Sequence, residues 1–334
     1  METFGYCRSR LAALLAVGLW LAGVAHVHSQ YRVLFLGNSF TLGDSDAAER
    51  TRSVGGVPMI FDRLARAGGH TNLSVVMRAV GGQDFQFHDQ DPASQAAITS
   101  QPWDYVVMHS FSTEPTHFRD GIHSLADFMA YGENLYCRII TNHSQTKVIL
   151  KETWSRAVGH PYVTGISSGT NFASTDEFQT ELRTNYLNLA NYLSTKYPTN
   201  APVILSPVGD AWENAGALKA PAEPGFTRLH ATDLWHGNDN GHYLSAAVTY
   251  CVIYQENPRG FSTNPVVAEL GLKLTVPAAH LRLSWFPATV TRRTSTRTTC
   301  DEFPTRGCSC QPGKHALSCV DLLRRFTRGL SLWL

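Results

Sequence analysis

Tyr31-Arg32-Val33-Leu34-Phe35-Leu36-Gly37-Asn38-Ser39-Phe40-Thr41 is the stretch from which the fold is read. Five of its first six residues are apolar or aromatic, and Val33 to Leu36 are consecutive, the pattern of a strand buried on both faces of a parallel sheet. Gly37 and Asn38 then break the run, and both residue types tolerate tight or left-handed turns. Ser39 follows directly. A hydroxyl placed where a central strand stops lies at the carboxyl edge of the sheet, where open α/β folds bind their ligands. Ser39 is a candidate nucleophile, provided that a base stands within reach.

Upstream, residues 1–29 read as a secretory signal. Arg8 and Arg10 supply the positive start, Leu11 to Ala25 an apolar core, and Val27 and Ser29 a small-residue cleavage site before Gln30. The alternative, a retained anchor, asks for a run of roughly 20 apolar residues, and this core has about 15. The mature chain is expected to be secreted, with no membrane span. Hydrophobic content of 43% and charged content of 16% over 334 residues fit a well-packed globular protein. A net charge of +1 gives no electrostatic case for nucleic acid.

Asn72-Leu73-Ser74 and Asn142-His143-Ser144 are glycosylation sequons, so the chain is a candidate glycoprotein. Six of the seven cysteines remain once Cys7 leaves with the signal. Cys300, Cys308, Cys310 and Cys319 crowd into the tail and point to disulfides rather than zinc, whereas Cys137 and Cys251 fall in predicted helices.

Downstream of Ser39 comes a polar loop, 43–56, then a helix over Val57–Ala67 ended by Gly68-Gly69. Strands are expected at 72–80, 104–108, 147–153 and 201–208. Helices are expected at 120–137, 177–197, 210–218 and 241–256. Leu182, Tyr186, Leu189 and Leu193 mark the buried face of the long helix, and Pro198 lies past its end. Five strands alternating with helices imply a mostly parallel sheet covered on both faces. From about residue 290 the composition changes: residues 291–334 hold seven Arg and one Lys against two Asp and one Glu. The expected organisation is a signal (1–29), a catalytic domain (30–260) and an extension (261–334) that is basic and Cys-rich from about 290.

An activated serine needs a base and a group that orients the base. Asp233 and His236 stand three residues apart on a loop before the last helix, a spacing that lets the carboxylate reach Nδ1 while Nε2 points to the strand ends. The motif taken singly also fits a surface Asp and His near a helix start.

The combination is more specific. Gly37-Asn38-Ser39-Phe40-Thr41 is followed, 194 residues after Ser39, by Asp233-x-x-His236 and then Asn240-Gly241-x-Tyr243-Leu244-x-Ala246. Over roughly residues 31–260 this resembles the SGNH (GDSL-like) hydrolase superfamily, in a branch whose first block reads Gly-Asn-Ser-Phe-Thr. Pro207-Val208-Gly209-Asp210-Ala211-Trp212 resembles the same branch.

The resemblance implies a three-layer α/β/α, flavodoxin-like fold with a five-stranded parallel sheet. It implies Ser39 as nucleophile, His236 as general base and then acid, and Asp233 as orienting carboxylate, with ester hydrolysis through an acyl-enzyme and neither a metal nor an organic cofactor. An oxyanion needs donors aimed at the developing charge. Ser39 N–H and Gly82 N–H are the candidates, although Gly81-Gly82 also reads as a plain turn. The third donor departs from the superfamily's usual asparagine, since the chain has Met108-His109-Ser110-Phe111-Ser112 there. His109 either donates an N–H or has no catalytic part, and Ser112 is a possible helper. Trp154 either lines the pocket or belongs to the core.

The expected function is a secreted serine esterase acting on a small acyl ester, with a carbohydrate ester as one candidate substrate. A ligand-binding protein that keeps the fold with little turnover is the alternative. A lipase is disfavoured by the polar loops at 43–56 and 157–176.

Overall fold

The computed structural model describes residues 30–118, 122–163, 172–258 and 260–268. The expected signal segment and the basic stretch from about 290, with its four cysteines, lie outside the described residues.

β1 (Tyr31–Gly37), β2 (Leu73–Ala79), β3 (Tyr105–Met108), β4 (Lys147–Lys151) and β5 (Ile204–Ser206) form one parallel sheet in the order β2-β1-β3-β4-β5. Helices cover both faces, and the strands' period of two decides which residue goes where. Val33, Phe35, Tyr105, Val107 and Ile149 point to one face. There they meet Ile60, Phe61 and Leu64 of a helix at Val57–Ala67 and Tyr243, Ala247 and Tyr250 of a helix at Asp239–Tyr254. Leu34, Leu36, Val106, Met108, Val148 and Leu150 point to the other. They pack on helices at Leu125–Asn142 and Thr175–Lys196, through Phe128, Leu135, Tyr186, Leu189 and Leu193. Each such leucine, wholly removed from water, contributes about 1.5–3 kcal/mol. The result is the expected three-layer α/β/α arrangement. Its packing does not stop at 260, because Val267 is buried in the first of these cores.

The chain runs from β1 to β2 on one side and returns to β3 on the other, so the order reverses beside β1. Connections leave the carboxyl ends of β1 and β3 in opposite directions, which opens a crevice there. Ser39 stands at this point.

Several boundaries differ from the expected ones, for local reasons. The helix expected over 120–137 runs over Leu125–Asn142, because Ser124 caps it, its hydroxyl accepting from Asp127 N at 3.1 Å. β4 ends at Lys151 rather than at 153, and residues 152–157 continue without regular pairing to a neighbouring strand. Short helices at Glu49–Ser53, Phe85–Gln90 and Pro92–Thr99 were not expected at all. The last two open on the side-chain caps Asp84 and Asp91, and both are too short to show a periodic apolar stripe.

Candidate active site

Ser39 is the first residue of a single helical turn, Ser39–Leu42, and Asn38 is its cap. The Asn38 Oδ1 accepts from Phe40 N at 3.1 Å, while Nδ2 donates to Gln83 O at 2.9 Å and to Ser110 O at 3.3 Å. One buried amide thus ties together the segments that follow β1, β2 and β3. Thr41 N and Leu42 N close the turn on Asn38 O. Gly43 ends it at φ +75°, a left-handed conformation that favours glycine.

The Ser39 Oγ lies 3.0 Å from His236 Nε2. His236 Nδ1 lies 2.6 Å from Asp233 Oδ2, and Asp233 Oδ1 accepts the backbone N–H groups of Trp235 and His236, each at 2.9 Å. An aspartate that accepts from its own chain two and three residues on folds the segment into a compact turn. The turn puts Leu234 at φ +60°, a strained conformation for a branched side chain. Burial would raise the Asp233 pKa, but the hydrogen bonds from the imidazole and the two backbone N–H groups outweigh it and hold the carboxyl below its usual value. With Nδ1–H directed at that carboxylate, Nε2 is left as an acceptor for the Ser39 hydroxyl.

The two halves of the site are separated by 197 residues and are joined by contacts that the sequence reading missed. Ser45 Oγ donates to Gly237 O at 2.8 Å, and Asp239 N donates to Ala47 O at 3.0 Å. Asp239 Oδ1 accepts both Thr51 N and Thr51 Oγ1 at 2.8 Å. The polar segment 43–56 is therefore the fastener that docks the serine turn onto the Asp-x-x-His loop. Phe40 sets its ring edge to face with His236 at 5.6 Å and stacks on Trp154 at 4.2 Å, which stacks on Trp212 at 4.0 Å. Trp154 is fully buried and belongs to the core rather than to the wall of a pocket.

Ser39 N–H and Gly82 N–H have no acceptor among the described residues. Gly82 is exposed at φ +73°, with open space where a Cβ would be. Val80 N donates to Gly37 O at 3.0 Å, so the Gly81-Gly82 turn stands at the same sheet edge as Ser39.

Of the two readings that the sequence left open for His109, the geometry speaks against the N–H donor. Its Nδ1 lies 3.1 Å from Ser110 O, to which it donates, and its Nε2 accepts from Thr41 Oγ1 at 2.8 Å. Both nitrogens are engaged and the ring is buried, so no N–H is left to aim at a developing oxyanion. Burial, with the nearby Lys151 ammonium, holds the imidazole neutral well below its ordinary pKa. The residue after β3 turns inward under Gly37, where the chain has no Cβ to obstruct it. Ser112 is likewise occupied, accepting from Arg156 Nη1 at 2.9 Å.

Of the histidines left without a role, His88 bonds Ser94 Oγ and Gly37 O at 2.9 Å each, and His230 bonds Ser155 O at 2.9 Å. Burial drives His230 and His160 down to about 4 and His242 to about 3. Among the described residues no cluster of His, Cys, Asp and Glu is arranged to hold a metal ion.

No family model and no curated protein matches the chain. Among solved structures it is similar to a putative GDSL-like lipase from Parabacteroides merdae, at 16% identity and TM-score 0.44, over 67% of this chain and 94% of that one. It is similar to the acetyl xylan esterase AlAXEase at 15% identity and TM-score 0.45, over 66% of this chain and 99% of the other. It is similar to an acetyl xylan esterase from Geobacillus stearothermophilus at 14% identity and TM-score 0.44, over 66% and 93% of the two chains.

Proposed function

We propose that the protein is a secreted serine ester hydrolase that cleaves small acyl esters through an acyl-enzyme. One observation carries the reading: Ser39 Oγ, His236 and Asp233 form a continuous hydrogen-bonded line, 3.0 Å and then 2.6 Å, at the switch point of a parallel sheet. In this reading His236 Nε2 takes the Ser39 proton as Oγ attacks the acyl carbonyl. Asp233 orients the imidazole and balances the imidazolium that forms. Ser39 N–H and Gly82 N–H receive the tetrahedral oxyanion. The imidazolium then protonates the departing alcohol, and a water molecule, deprotonated by the same nitrogen, releases the acid.

A small acyl group suits a site in which Phe40, Trp154 and Trp212 fill the space behind the serine turn with stacked rings. A carbohydrate is the proposed alcohol side. The alternative, a binding protein with little turnover, draws on His109, whose engaged nitrogens leave the oxyanion to backbone donors.

Treatment with a fluorophosphonate probe, followed by mapping of the adduct, tests the assignment. The expected result is modification of Ser39 that is lost in His236→Ala, together with hydrolysis of acetyl esters in preference to long-chain ones. A folded protein that takes no label sinks the hydrolase reading and leaves the binding protein.

A further inference from the structure

One buried charge has no part in the chemistry above. Arg156 is fully buried, and no carboxylate among the described residues forms an ion pair with it. Its Nη1 donates to Ser112 Oγ at 2.9 Å, while Nε and Nη2 have no acceptor among the described residues. Desolvation pulls its pKa down to about 9, so it is still a cation at neutral pH. A buried guanidinium with no counter-ion among the described residues is expensive.

What Arg156 does touch is aromatic. The guanidinium carbon lies 4.4 Å from the centre of the Trp235 ring, and that ring is stacked on the His236 imidazole at 4.7 Å and 25°. Tyr162 and Phe178 contact the same cation at 5.8 Å and 5.7 Å. The residues on either side make the same connection. Trp154 Nε1 donates to Trp235 O at 3.1 Å, Ser155 O accepts from His230 Nε2 at 2.9 Å, and Ala157 N donates to Leu234 O at 2.9 Å. Four consecutive residues beyond β4 each grip the segment 230–236. The strained Leu234 backbone is held from this side as well as by Asp233.

We propose that Arg156 is a positioning residue: its guanidinium lies over the Trp235 ring, and through Trp235 fixes the imidazole of His236 between Asp233 and Ser39. The planar guanidinium suits this task because it stacks, whereas an ammonium of equal charge has no plane to lay on the indole. The Asp233 carboxylate favours the charged form of Arg156 at longer range, while burial keeps His160 and His230 neutral. As a claim about catalysis this rests on the serine-hydrolase reading; as a claim about the His236–Asp233 pair it does not.

The test uses the full-length protein with Arg156→Met and Arg156→Lys. Four quantities are read: the rate of fluorophosphonate labelling at Ser39, kcat and KM on an acetyl ester, and the deshielded Nδ1 proton of the His236–Asp233 hydrogen bond by NMR. In both folded variants the expected result is a fall in kcat and in labelling rate of about ten-fold or more, with KM within about two-fold and the proton resonance broadened. If Arg156→Met does not fold, Arg156→Lys carries the test. The proposal is overturned if either folded variant keeps the parent kcat and resonance, if KM alone changes, or if neither variant folds. Should the parent protein take no label, the hydrolase reading fails by itself, and the resonance still decides whether Arg156 positions His236.

Discussion

A Cβ on Gly37 would stand 2.4 Å from His109 Nε2 and 2.5 Å from Thr41 Oγ1. The last residue of β1 is therefore a glycine for want of room rather than for backbone freedom. Gly37→Ala must displace either the buried imidazole or the turn that carries Ser39. The expected outcome is a loss of about 1–3 kcal/mol in chemical denaturation, together with slower labelling at Ser39. A variant with unaltered stability would show that the strand end yields without cost.

His109 is assigned to packing under the serine turn, and this separates two effects that a donor would combine. His109→Gln should lower the melting temperature while kcat/KM stays within about ten-fold of the parent. Removal of a true oxyanion donor costs about 10²–10³ in kcat. A loss on that scale, with the melting temperature unchanged, would return His109 to the oxyanion hole.

Asp233 is the orienting carboxylate of the proposed mechanism, and Asn at that position keeps the shape while losing the charge. Asp233→Asn should reduce kcat by about two to four orders of magnitude with little change in KM, measured on any ester that the parent cleaves. Near-parent turnover would dismiss Asp233 and leave His236 to act as an unaided base.

The buried histidines set an acid limb of stability. His242 takes a proton in the folded state only at about 3, and His160 and His230 only at about 4, whereas the unfolded chain takes them near 6.5. Below about pH 6.5 the unfolded state binds more protons, so stability falls as pH falls through the window from about 6.5 to 4. Melting temperatures at pH 7, 6, 5 and 4 should decline steadily. His242→Phe, which removes the most strongly shifted of these rings, should flatten that decline. An equally steep decline in the variant would assign the limb to other groups.

Lys151 works in the same sense at higher pH. Burial brings its pKa to about 7, and among the described residues its Nζ has only the long contacts to Phe40 O at 3.5 Å and Thr41 Oγ1 at 3.4 Å. Between about pH 10.5 and 7 the unfolded chain holds a proton that the folded one lacks, so this lysine costs stability progressively as pH falls across that range. Lys151→Met should raise the melting temperature at pH 7, and by less at pH 10. A lower melting temperature at pH 7 would reveal an interaction of the amine that the contacts do not show.

Much of this molecule is legible along the chain because the signals involved are local. The apolar run Val33–Leu36 closed by Gly37-Asn38, the alternation of strands with helices, and the stripe Leu182, Tyr186, Leu189 and Leu193 depend on periods of two and of about 3.6, which are written within a few residues. The sequence alone therefore determines a parallel sheet with two helical layers, while Ser39, Asp233 and His236 were singled out as a set by the order of motifs that the chain shares with a known superfamily. Short capped elements such as Phe85–Gln90 carry too few turns to leave a pattern, and they were missed.

Only the tertiary structure decided which of these groups meet. Ser39 and His236 come within 3.0 Å because Thr51 and Ser45 reach Asp239 and Gly237 some 190 residues away. No local period encodes such a pairing. The side to which His109 turns was decided in the same way, by the empty space beside Gly37 and the hydroxyl of Thr41. So was the place of Arg156, a residue unremarkable in the sequence whose significance comes from the face of Trp235 against which burial presses it. The fold follows from where each residue hides its apolar surface, which is a property of short stretches. The site follows from polar groups finding partners across the sheet edge, which exists only once the sheet has formed.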